Sequence, residues 1–196
     1  MANSSKNQKA KKVMTIEEKI SSLASSSLIL LGVLLLSFFF GWCYIFNTDV
    51  GVEVGCNGWN FVCMSFSWHF KSTAAVFGNI AVPFYYYAKI YTVLLTILTM
   101  SSFYLILIMA GLSALNIKKL KPRLTKIILL LSILNALILL GCFIVALTMN
   151  GSRILPKYCS GNPKCSIQSL AIFPFLISLV IVVSNGMLLY NLSNKE

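Results

Sequence analysis

The sequence predicts an all-α membrane protein: a four-transmembrane-helix left-handed bundle with a small extracellular β-sheet in the first outer loop. Three observations predict it. Of 196 residues, 58% are hydrophobic and only 11% are charged, whereas a soluble domain, with about a quarter of its residues charged, needs more polar surface than this. Four apolar runs carry no charge, and at about 1.5 Å per residue each crosses a hydrocarbon core of about 30 Å. Sixteen Lys and Arg against five Asp and Glu leave a formal charge of +11, and those bases segregate to one side of the runs. This composition excludes a disordered chain, a small secreted disulfide scaffold and an ordinary cytosolic enzyme.

Residues 1–23 form a basic tail with Lys6, Lys9, Lys11, Lys12 and Lys19. The first span, 24–46, ends in Trp42, Tyr44 and Phe46, which suit a membrane interface. A cleavable signal peptide would have a shorter apolar region and end in small residues. A first outer loop, 47–90, leads to the second span, 91–115. The link 116–126 carries Lys118, Lys119, Lys121, Arg123 and Lys126 and precedes the third span, 127–149. A second outer loop, 150–169, then leads to the fourth span, 170–192, and the tail 193–196. With Lys195, eleven bases share the side of the tails and link, against five (Lys71, Lys89, Arg153, Lys157, Lys164) on the other. The positive-inside bias therefore places both termini in the cytoplasm; the expected location of this multi-pass protein is the plasma membrane. The basic tail is suited to anionic lipid at that face and is too short for a nucleic-acid domain. Antiparallel neighbours joined this tightly pack by default as a left-handed bundle.

Cys43 and Cys142 fall inside spans one and three, where cysteine packs as a small hydrophobe. Cys56 and Cys63 share the first outer loop, and Cys159 and Cys165 the second. In an oxidising compartment this favours one disulfide within each loop, although four cysteines allow three connectivities. The lone His69 has no second ligand pair beside it, so no metal site is expected. The spacings C-x6-C and C-x5-C are not the C-x-x-C of a thiol oxidoreductase, which is a minor alternative.

In the first outer loop, Val50, Val52 and Val54 alternate with small or polar residues, and Met64 to Phe70 alternates with period two, the pattern of strands with one buried face. Trp59, Phe61, Phe66, Trp68 and Phe70 could form an extracellular recognition surface or rest on the bilayer. Tyr85, Tyr86, Tyr87 and Tyr91 are placed at headgroup level. Asn150-Gly151-Ser152 is a possible glycosylation acceptor. No ionisable residue lies within the four spans, which argues against a pump or ion-coupled transporter. Asn135 and Asn185, at similar depth in spans three and four, are expected to hydrogen-bond each other as structural glue, the alternative being a pore lining. Small residues spaced by four (Ser37 and Gly41, Ala110 and Ala114, Ser132 and Ala136) and the face Thr92, Thr96, Thr99 suit close helix contacts. Pro174 is expected to kink span four. No phosphate-cradling glycine loop, activated nucleophile or acid pair supports an enzyme, and no cofactor is expected.

Gly58, Trp59 and Cys63, in a long, sheet-like first outer loop ahead of a short second one, give a chain that resembles the claudin and peripheral myelin protein four-transmembrane superfamily. Cys56 precedes the Trp instead of following it, and the Gly-Leu-Trp triplet of that superfamily is missing. The resemblance implies a non-enzymatic tetraspan acting in cell-cell contact, barrier formation or as an auxiliary subunit, in homo- or hetero-oligomers with other membrane proteins. Asn47, Thr48, Gly55, Cys56, Val62 and Cys63 are similar to a connexin first loop, which implies instead a channel-forming oligomer; each outer loop here has two cysteines where connexins have three.

Overall fold

The computed structural model describes residues 15–39, 41–47, 54–59, 61–62, 89–150, 165–168 and 170–194. The first helix, α1 (Ile16–Leu36), begins well before the apolar run because a capping box starts it. Thr15 Oγ1 accepts from the Glu18 N–H at 3.2 Å, and the Thr15 N–H donates to Glu18 Oε2 at 2.9 Å. Two of the orphan donors of the first turn are thereby satisfied. A 3-10 turn, Ser37–Phe39, ends the helix. Residues Gly41–Asn47, expected as the last turns of the first span, instead form strand β1. Their aromatic and β-branched character (Trp42, Tyr44, Ile45, Phe46) suits a pleated surface as well as it suits a membrane interface.

Helix α2 (Lys89–Lys119) and helix α3 (Pro122–Asn150) both outrun their expected spans. The link between them contracts to Leu120 and Lys121. Pro122 opens α3, where its missing N–H has no intrahelical partner to lose. Leu120 takes the left-handed conformation, φ 43°, and its N–H donates to the Asn116 carbonyl at 2.7 Å. Leucine there is strained by about 1–2 kcal/mol, but its side chain packs against the cluster of Ile20, Ala24, Leu188 and Leu192. Leu120→Gly relieves the strain while losing the packing, whereas Leu120→Ala loses the packing alone. Thermal unfolding in detergent is therefore expected to rank Leu120→Gly above Leu120→Ala, the reverse of the usual order of these residues in helices.

Helix α4 (Ile172–Ser193) places Pro174 in its first turn. The expected kink has no cause there, since first-turn N–H groups bond to no helical carbonyl. Each helix packs on two others: α1 on α2 and α4, and α3 on α2 and α4. The main core runs from Leu31, Leu34 and Phe38 through Leu95, Ile106, Met109 and Leu139 to Ile181. The surface inverts the order of a soluble protein. Ile29 (67% exposed), Leu130 (66%) and Leu137 (61%) face outward, while Asn135 and Asn185 are each 1% exposed. Such an exterior requires an apolar solvent. Four helical stretches, Ile16–Phe39, Val93–Ile117, Pro122–Thr148 and Ile172–Ser193, are long and apolar enough to cross a membrane.

Beyond the end of α1, β1 is the central strand of a three-stranded antiparallel sheet of order β2-β1-β3, with β2 Val54–Asn57 and β3 Cys165–Gln168. Tyr44 pairs with Gly55 on one side and Gln168 on the other. The connection after α1 and the connection before α4 thus meet on one strand. The sheet end of the bundle is opposite the two-residue link. Of the alternating segments expected as strands, Val54 lies in β2, while residues 50–53 and 64–70 lie outside the described residues.

Candidate functional site

Immediately after β2, Gly58, Trp59, Phe61 and Val62 are helical, and they turn toward the bundle. Trp59 packs between three rings: Phe38 at 6.2 Å and 63°, Phe39 at 5.5 Å and 39°, and Phe103 of α2 at 5.6 Å and 71°. Edge-on and tilted contacts of this kind contribute about 0.5–1.5 kcal/mol each beyond the area they bury. The Trp59 indole N–H is buried without a hydrogen-bond partner. Phe61 and Val62 are each 1% exposed and belong to the main core. Phe61 is thus taken up by the core, and Trp59, half-buried, packs against it and fastens the sheet end to the helices. For Phe61, burial in the core removes the ring from water without needing a partner.

Phe66, Trp68, Phe70, Cys63, Cys159 and His69 lie outside the described residues. Cys56 stands on β2 and Cys165 on β3, and Cys43 stands on β1 instead of in a span. Cys142 is a free thiol, fully buried in α3. Asn150 is the last residue of α3, and the rest of its acceptor triplet lies outside the described residues. Among the described residues, no three His, Cys, Asp or Glu side chains gather as metal ligands would.

The two intramembrane amides are buried, but they do not pair with each other. Ser102 Oγ of α2 donates to Asn135 Oδ1 at 2.7 Å, and Ser27 Oγ of α1 donates to Asn185 Oδ1 at 2.8 Å. Each amide is rotated toward a hydroxyl on the antiparallel neighbour, and each Nδ2 is left buried without a partner. The Asn185 pair opens on a narrow cleft lined by Ser27, Ser113, Asn116, Ile128 and Leu188, with no room for a water molecule.

At the link end, Asn116 forms a junction that the spacing of the spans did not suggest. Its Oδ1 accepts from the Lys121 N–H at 3.1 Å, and its Nδ2 donates to Thr125 Oγ1 at 2.8 Å. Thr125 in turn donates to the Lys121 carbonyl at 3.2 Å. An Asn six residues before a proline that can open a helix is the sequence signal for such a cap, and both residues stand in the run NIKKLKP.

The fold and its polar interior define a class, the multi-pass membrane proteins with four spans. Compared with protein-family models and with curated protein sequences, the chain matches none.

Proposed function

We propose that the chain is a non-enzymatic tetraspan that presents its sheet end outside the cell to a neighbouring membrane protein, in cell contact, barrier formation or as an auxiliary subunit. One observation carries this reading: β1 continues from α1 and pairs with strands from both inter-span connections. Two connections merged on one strand, and wedged to the helices by Trp59, make a single shape that a partner can read. The eleven bases on the side of the tails and link support cytoplasmic termini and contact with anionic lipid there; the plasma membrane is the location proposed with this reading. The resemblance to the claudin and peripheral myelin protein superfamily points the same way, with disulfides stabilising the outer segments and Phe66, Trp68 and Phe70 available for recognition.

The test is to image a tagged copy in cells that express it and to purify it in mild detergent. Concentration at cell contacts, or co-purification with a membrane partner, is expected, with loss of that pattern in Cys56→Ser. Uniform distribution and a lone chain in detergent would overturn the reading.

A channel-forming oligomer is the second reading, favoured by the buried Ser27, Ser102, Asn135 and Asn185. It requires conductance in reconstituted bilayers that Asn135→Leu alters.

A further inference from the structure

We propose that Cys43 of β1 and Cys56 of β2 are joined by a cross-strand disulfide. The two residues are Cα partners in the antiparallel register, so they share a face of the sheet. Directly opposed residues of an antiparallel pair have Cα atoms about 4.5–5.5 Å apart, inside the range of about 4.4–6.8 Å that a disulfide spans. The other cysteine in the described strands is out of reach. Cys165 of β3 stands opposite Asn47, four positions along β1 from Cys43. At about 3.3 Å per residue that is about 13 Å, twice what a disulfide can bridge. From Cys56 it is also a second strand away.

The pairing changes the cysteine ledger of the chain. Of six cysteines, Cys142 is buried among the helices, so five remain at the sheet end or in the connections. An odd number cannot be fully paired within one chain. With Cys43 and Cys56 joined, at least one of Cys63, Cys159 and Cys165 stays a thiol or bonds to another molecule.

Formation of the bond takes two electrons and two protons from the pair. The acceptor is a disulfide-bearing oxidoreductase of the compartment the sheet faces: one thiolate attacks its disulfide, the second displaces it from the mixed disulfide, and it leaves as a dithiol. The bond therefore rests on the reading that the sheet end lies on the oxidising side.

The experiment is peptide mapping of the full-length protein, purified from its membrane after alkylation without reductant. A linked peptide pair containing Cys43 and Cys56 is expected. Cys43→Ser should then expose one additional thiol, assigned to Cys56, and Cys43→Ser with Cys56→Ser should expose none. Cys56 linked elsewhere, with Cys43 alkylated, would overturn the pair while leaving the outward placement standing. Alkylation of all six cysteines would instead overturn that placement. In that case, failure of a mild disulfide oxidant to join Cys43 to Cys56 in detergent would overturn the geometry as well.

Discussion

Trp59→Ala is expected to lower the stability of the detergent-solubilised protein by about 3 kcal/mol, within the range of about 3–5 found when large aromatics are truncated in cores. Three ring contacts at 5.5–6.2 Å are lost together. The hole they leave is bordered by Phe38, itself fully buried, and the 3-10 turn that carries Phe38 and Phe39 leads straight into β1. The cost should therefore fall on the junction between helices and sheet as well as on the bundle. For a chain of this length, 3 kcal/mol corresponds to a fall of about 6–12 °C in thermal midpoint, measurable by far-ultraviolet circular dichroism. Trp59→Phe separates the ring from its polar atom. It keeps an aromatic body among the three partners and removes an N–H that is buried without an acceptor, which costs about 1–3 kcal/mol where it stands. The Phe variant should therefore melt within about 1 kcal/mol of the parent. An Ala variant as stable as the parent would show that the aromatic cluster does not hold the sheet to the bundle.

The four spans were legible because lipid imposes a requirement that composition alone can record: a long stretch without charge. The ends of the spans were less so. Gly41–Asn47 is uncharged and aromatic, and a short apolar run reads equally as the last turns of a helix or as a strand. The choice was made by pairing with Val54–Asn57 and Cys165–Gln168, contacts remote in sequence. The start of α1 was hidden for the opposite reason. Thr15 and Glu18 form a capping box at its N-terminus, yet the uncharged apolar run starts only near Ala24. The pairing of Asn135 with Ser102, and of Asn185 with Ser27, depends on the rotation of each helix about its axis. Depth in the membrane, which the sequence does indicate, says nothing of that rotation. Trp59 and Phe61 show the same limit in a loop, since an aromatic residue carries no sign of whether it turns to a partner or to its own core.

Asn116→Ala is expected to destabilise the opposite end of the bundle. The side chain is 2% exposed and makes two hydrogen bonds across a link of two residues. Net contributions of about 0.5–1.5 kcal/mol each, less about 0.5 kcal/mol regained from alanine's better helix propensity, give a loss of about 1.5 kcal/mol. The loss is sharpened by geometry. Without Asn116 Oδ1 the Lys121 N–H loses its acceptor, in a turn already strained at Leu120. Thr125 provides the control, because its hydroxyl both accepts from Asn116 and donates to the Lys121 carbonyl. In a double-mutant cycle of Asn116→Ala and Thr125→Val, thermal unfolding should give a coupling of about 1 kcal/mol. Additive losses would mean that the two side chains stabilise the link independently. A coupling of that size would place the joint between α2 and α3 in one hydrogen-bonded unit, built from an amide, a hydroxyl and the two backbone groups of Lys121.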